Sequence, residues 1–163
     1  MAEYISPEGH KKIVDEYNWL LRKERPRITA EVSYAASLGD RSENSEYLYG
    51  KQRLREIDGR LKFLERRLDV LSVVDSSRFS GDVVLFGATV ELEDEDEAKQ
   101  VWTFLGVDEV DTEKGVLSYV CPLGKAVMGK KIEETFTFET PKGQREMTVL
   151  AVSYPKPTPA AAE

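Results

Sequence analysis

The sequence predicts an α+β protein, with an N-terminal antiparallel α-helical coiled-coil hairpin followed by a β-rich domain carrying one short helix. Three observations carry this expectation. Apolar residues recur at gaps of three and four over roughly the first seventy positions. Short strand-like runs separated by turn residues fill most of the remaining chain. Between the two helical patterns lies an acidic corner, Leu38-Gly39-Asp40-Arg41-Ser42-Glu43-Asn44, short enough that the helices must return antiparallel.

Ser6-Pro7 opens the first helix, Ser as a cap for free N–H groups and Pro at the first helical position. Ile13, Tyr17, Leu20, Leu21, Ile28, Val32, Ala35 and Leu38 then form one face. Pro26 falls inside this pattern, removes one backbone hydrogen bond, and predicts a kink. The second helix is cleaner: Tyr47, Leu54, Ile57, Leu61, Leu64, Leu68 and Leu71 keep a/d heptad spacing, with Gly50 weak at its d position. Arg53, Arg60 and Arg67 repeat every seven residues along its g flank. They suit interhelical ion pairs with Asp15, Glu24 or Glu31, or a path for a polyanion leading toward the corner.

A boundary near 75–81 leads into strand-like runs at 83–86, 88–92, 101–107, 115–120, 135–139 and 147–154. The acidic run 93–97 reads as a solvated hairpin loop, with calcium binding as the alternative, although the spaced ligands and Gly of a calcium loop are missing. Thr140-Pro141-Lys142-Gly143 reads as a β-turn. A short helix is expected over Pro122–Met128, capped by Gly129, and its apolar surface is a candidate docking face. The expected domains are 1–78, with the corner at 38–44, then 79–155, then a disordered Pro/Ala-rich tail at 156–163.

The net charge is −7, but the two halves differ. Residues 1–80 hold 15 Lys and Arg against 14 Asp and Glu, whereas residues 81–163 hold 8 against 16, so the second half exerts no pull on nucleic acid. The strongly basic stretch is 51–67, with seven bases and three acids. Cys121 is alone, which excludes an internal disulfide and points to a reducing compartment. It precedes Pro122 after an apolar run and suits inert packing, and the single His10 suits an ordinary surface role. Without a signal-like apolar N-terminus or a long apolar stretch, the expectation is a cytoplasmic, soluble monomer with no membrane partner.

Asp40 and Glu43 carry the chemistry that composition leaves open. Asp-x-x-Glu opening a helix fits a capping box, with Asp40 as N-cap and Glu43 at N3. Two carboxylates three residues apart also suit a shared hard divalent cation, and magnesium is usually held by one or two carboxylates plus water and phosphate oxygens. Such a pair would complete a metal site inside a partner, where a second metal helps activate water for attack on a phosphodiester. Walker, dinucleotide, CxxC and HExxH motifs are missing, so the chain does not read as a self-contained enzyme.

The run Ala35-Ala36-Ser37-Leu38-Gly39-Asp40-Arg41-Ser42-Glu43-Asn44 resembles the tip motif of the Gre family of bacterial transcript cleavage factors. Arg53-Leu54-Arg55-Glu56-Ile57-Asp58 is similar to its GreB branch, and the run 122–130 also fits, closer to the GreA-like form. Ser45 stands where Ala is common and Cys121 where Ser is common, and the resemblance spans nearly all of residues 4–157. It implies an FKBP-like C-terminal domain that docks at the rim of the RNA polymerase secondary channel, with the hairpin reaching the active site. Asp40 and Glu43 then match the residues that help hold a second Mg2+ shared with the polymerase, the free protein binding none. Ser42 and Asn44 match supporting tip residues. Lys51, Arg53, Arg55, Arg60 and Arg67 match a basic flank for the nascent RNA 3′ end in backtracked complexes, which raises the polyanion reading of the stripe. The implied function is stimulation of the polymerase's own endonucleolytic cleavage of the transcript. The alternatives are a channel-binding modulator or inhibitor without cleavage, and a prolyl isomerase or chaperone, the last lacking an evident aromatic pocket.

Overall fold

The computed structural model describes residues 2–39 and 43–156. They form two compact units, His10–Leu71 and Met1–Gly9 together with Ser72–Glu163. The first few residues and those just after 71 thus belong with the sheet unit, although the expected boundary was 78/79.

The first unit is helical. The chain runs through α1 (Pro7–Trp19), a five-residue π segment (Leu20–Glu24) and α2 (Arg25–Ser37), then returns along α3 (Ser45–Val70). The 26 residues of α3 span about 39 Å at 1.5 Å per residue. Pairing fixes the direction. Ala35 meets Asn44, Glu24 meets Arg53, and Glu16 meets Arg60, so one number falls as the other rises.

The disturbance expected at Pro26 is met by the π segment just before it. The Arg25 N–H donates to the Leu20 carbonyl, five residues back. A proline ring crowds the carbonyl four residues before it, and the wider turn relieves that crowding. The π turn also adds one residue to the seam. Buried positions run Ile13, Leu20, Glu24, Ile28 and Ala35, so of the two leucines expected on the apolar face Leu20 is buried and Leu21 is exposed, and Glu24 lies in the seam between Leu20 and Ile28.

On α3 the heptad holds: Ile57, Leu61 and Leu64 are buried. Gly50, the weak d position, is buried with its Cα side against Val32, and a Cβ there would sit 2.5 Å from Val32 Cγ2. Gly59, on the same helix, has nothing within 4 Å of a built Cβ. Opposite outcomes are expected. Gly59→Ala gains helix propensity, about 0.5–1 kcal/mol. Gly50→Ala has the same gain but forces Val32 off its position, at about 1–3 kcal/mol, and is destabilising on balance. Thermal unfolding followed by helical circular dichroism checks the pair, and Val32→Ala should rescue Gly50→Ala.

The second unit holds two sheets. β1 (Glu3–Ile5) and β2 (Leu71–Val73) form a small pair. The main sheet contains β3 (Thr89–Asp94), β4 (Lys99–Leu105), β5 (Val116–Ser118), β6 (Thr135–Thr140) and β7 (Gly143–Ser153), in the order β5-β4-β3-β7-β6. All neighbours are antiparallel except β4 and β5. Val90, Leu92, Phe104, Phe136, Met147 and Val149 bury one side of the sheet with Leu123 and Val127 of α4 (Pro122–Val127). This is the expected α+β class.

Three local expectations are refined. Residues 83–86 are not a strand: Val83 makes one bridge to Lys131, and the Tyr154 hydroxyl donates to the Val83 carbonyl while accepting from the Leu85 N–H at 2.9 Å. A side chain there satisfies the backbone that a neighbouring strand would otherwise satisfy. The 93–97 run closes the β3–β4 hairpin but is tied down as well as solvated. Asp94 accepts from the Asp96 and Ala98 N–H groups, and Arg145 reaches Asp94 at 3.0 Å and Glu95 at 3.1 Å. Cys121 is the N-cap of α4, its Sγ accepting from the Gly124 N–H at 3.3 Å. Glu109, unnoticed in the sequence, accepts from the Ser6 and Gly106 N–H groups and the Ser6 hydroxyl, fixing the start of α1. The turn expected at 140–143 closes the β6–β7 hairpin, with Gly143 at φ 112°. The tail from 157 onward lies outside the described residues.

Candidate functional site

The candidate site is the closed end of the hairpin. α2 stops at Ser37; the Leu38 N–H turns back to the Ala35 carbonyl at 3.1 Å, and Gly39 follows at φ 127°, a conformation that favours glycine. Asp40, Arg41 and Ser42 lie outside the described residues, so the expectations placed on Asp40 and Ser42 gain no geometry. Glu43 is in a turn and exposed.

Asn44 organises this end. Its backbone is extended, at φ −84° and ψ 103°, and its Oδ1 accepts from the Tyr47 N–H at 3.1 Å, which makes it the N-cap of α3. Its Nδ2 donates across the hairpin to the Ala35 carbonyl at 2.8 Å. The capping box expected from Asp40 and Glu43 is therefore corrected: the helix begins at Ser45, and Glu43 precedes the cap instead of standing at N3. Asn is among the strongest N-cap residues, and unlike Asp it also has a donor for the opposing helix. The consequence is chemical. Glu43 is not consumed by capping, and its carboxylate stands exposed one residue from a cross-braced joint.

Among the described residues no group of three or more His, Cys, Asp or Glu side chains is placed to hold a metal ion. Glu43 offers a hard, exposed oxygen donor, the kind magnesium takes in ones and twos alongside water and phosphate.

The basic flank is already engaged in part. Arg53 Nη2 reaches Glu24 Oε2 at 3.2 Å, and Arg60 clasps Glu16 through Nε at 2.6 Å and Nη2 at 2.9 Å, with its guanidinium 5.1 Å from the Phe63 ring centre. Arg55 donates to Gln52 at 2.8 Å, Lys51 is exposed, and Arg67 is half-buried in the last turn. Of the partners expected for the stripe, Glu24 is used; Asp15 pairs with Lys11, Glu31 with Arg27, and Glu16 takes Arg60 instead. Arg25–Asp58, at 2.8 Å, is a further interhelical pair that heptad spacing did not reveal.

These pairs shift their acids. The Arg27 guanidinium, aided by Arg53, holds the Glu24 carboxyl below its ordinary range; Arg60 does the same for Glu16, and Arg25 for Asp58. A native pKa below the unfolded one contributes stability that is present above the unfolded value and is lost as pH falls through the native value. The helical hairpin should therefore melt at a lower temperature as pH drops below about 4. Glu24→Gln should flatten part of that dependence, measured by helical circular dichroism across pH 7 to 3.

In α4, Leu123 and Val127 are buried in the sheet core, which leaves Pro122 and Lys125 exposed. The apolar docking face expected over 122–128 is therefore largely spent on packing.

The hairpin and sheet units together define a two-unit α+β protein that presents a charged hairpin end. The Transcription elongation factor, GreA/GreB, C-term family matches residues 79–154, and the Transcription elongation factor, N-terminal family matches residues 3–73. The chain belongs to the GreA/GreB family of transcription elongation factors. It is 42% identical over 153 residues to Transcription elongation factor GreB of Yersinia pestis, covering 94% of this chain and 90% of that protein. It is 43% identical over 154 residues to GreB of Neisseria meningitidis serogroup B, covering 94% of each. The GreB likeness of residues 53–58 agrees with these relatives. Among solved structures, the transcription factor Gfh1 is similar at 23% identity with a TM-score of 0.44, covering 93% of this chain and 97% of that one.

Proposed function

We propose that this protein binds RNA polymerase through its secondary channel and stimulates the polymerase's own endonucleolytic cleavage of nascent RNA in backtracked, arrested complexes. The supporting observation is the Asn44 brace, which leaves the Glu43 carboxylate exposed and outside the helix cap at the hairpin end. A carboxylate held there is positioned for another protein's active site, not for this chain's own stability. The polymerase would perform the hydrolysis, and this chain would supply ligands and orientation.

Asp40 and Glu43 are the residues that would hold the shared Mg2+, which supplies charge neutralisation and water activation when bound. Ser42 and Asn44 support them, Asn44 by fixing the joint beside Glu43. Lys51, Arg53, Arg55, Arg60 and Arg67 would line the path of the RNA 3′ end. Arg60 can exchange Glu16 for a phosphate at little cost, because an exposed ion pair is worth about 0–1 kcal/mol. Glu24 is buried, so Arg53 is the better anchored of the two. The sheet unit would dock at the channel rim, in a cytoplasmic protein acting as a monomer. Among the described residues no helix is long and apolar enough to cross a membrane.

The test is a defined backtracked complex incubated with magnesium, with and without the protein. Shortened RNA that re-extends supports the reading. Unchanged RNA with blocked synthesis would assign a modulator without cleavage.

A further inference from the structure

Beside the hairpin end, a groove runs between the second half of α2 and the first turns of α3, lined by Ala30, Glu31, Tyr34, Ser45, Glu46 and Tyr49. Tyr34 is 66% exposed and Tyr49 70%, so neither ring serves the helical seam. The groove combines two aromatic side chains with two carboxylates, and no Lys or Arg lines it. Glu31 pairs with Arg27 at 2.8 Å, whereas Glu46 has no ion pair among the described residues.

That chemistry selects a ligand class. Glu46, with no ion pair among the described residues to offset it, repels a phosphate backbone, so the groove is a poor extension of the basic flank. Aromatic faces attract cations through their negative quadrupole, and a guanidinium both stacks on such faces and forks onto carboxylates. A lysine ammonium would satisfy the carboxylates but would not stack. We propose that this groove receives an arginine side chain from the protein wall surrounding the inserted hairpin, which on the functional reading above is the polymerase. The groove is then a second anchor, separate from the tip carboxylates, that sets how the hairpin is rotated and how far it enters.

Two measurements on the full chain test this. In the first, the ring resonances of Tyr34 and Tyr49 are followed by NMR during titration with a blocked Gly-Arg-Gly peptide, a matched Gly-Gln-Gly peptide, and a short oligoribonucleotide. The arginine peptide is expected to shift both rings, with Glu46→Gln weakening the effect. Equal shifts from the glutamine peptide, shifts from the oligoribonucleotide alone, or no shifts would overturn the proposal. In the second, affinity for core RNA polymerase is compared. Tyr49→Leu should weaken it about 3- to 30-fold, whereas Tyr49→Phe stays close to wild type. Wild-type affinity in Tyr49→Leu overturns the anchor. If the wild-type chain does not bind polymerase at all, the functional reading has failed, and the peptide titration alone decides the groove.

Discussion

Glu43→Gln is expected to abolish stimulated transcript cleavage while leaving both folding and polymerase affinity near wild type. The substitution keeps shape and removes one charge. Because Glu43 is exposed and lies before the cap, its loss leaves the Asn44–Tyr47 and Asn44–Ala35 bonds untouched, so the melting temperature should not move. The rate should move strongly. Removing one electrostatic partner of a developing charge costs about 100- to 1,000-fold in comparable sites. Asp40→Asn should act in the same direction, and the double variant should lose little more than either single one, because the two act as a unit. Cleavage of a stalled complex is read beside competition for polymerase binding. Wild-type cleavage by both variants would remove the proposed mechanism. Lost binding would mean the tip carboxylates anchor the factor instead of serving the reaction.

Much of this architecture is legible in the sequence because it follows from local periodicity. The a/d spacing of Ile57, Leu61 and Leu64 predicts their burial, and the alternation in residues 88–92 predicts Val90 and Leu92 facing inward. What escapes has a non-local cause. A π turn ahead of Pro26 adds one residue to the seam, so a heptad counted back from Ala35 through Ile28 reaches Leu21, whereas Leu20 is the buried residue and Leu21 is exposed. The 83–86 run has strand composition, but its backbone is satisfied in part by the Tyr154 hydroxyl, some seventy residues away, and in part by Gly129 and Lys130. Glu109 and Arg145 likewise bind partners on distant segments, and no spacing rule reports such pairs.

The same limit governs the tip. A sequence with both Asp40 and Asn44 offers two N-caps four residues apart, and pattern alone favours the one that forms a box with Glu43. The choice falls to Asn44 because a tertiary bond reinforces it: an amide can cap Tyr47 and reach Ala35 together, which a carboxylate cannot. The motif is visible in the sequence, whereas its division of labour, with Asn44 as the cap and Glu43 outside it, needs the helix across from it.

Asn44→Ala should therefore be the most damaging single change to the hairpin end. It deletes an N-cap, worth about 1–2 kcal/mol, and an interhelical hydrogen bond, worth about 1 kcal/mol, for a total near 2–3 kcal/mol. Asn44→Asp separates the two contributions. Its carboxylate still accepts from the Tyr47 N–H and is favoured by the helix N-terminus, but it has no proton for the Ala35 carbonyl and places negative charge against that oxygen. Asn44→Asp should keep most of the helicity of α3 while loosening the brace that carries Glu43. Hairpin melting is expected to rank wild type above Asn44→Asp above Asn44→Ala. Stimulated cleavage, measured well below both melting points, is expected to fall in both variants by about tenfold, the factor that corresponds to 1.4 kcal/mol of lost positioning. If Asn44→Asp cleaves like wild type, the cap alone positions Glu43 and the bond to Ala35 serves only stability. If Asn44→Ala melts like wild type, the joint is held by something other than Asn44.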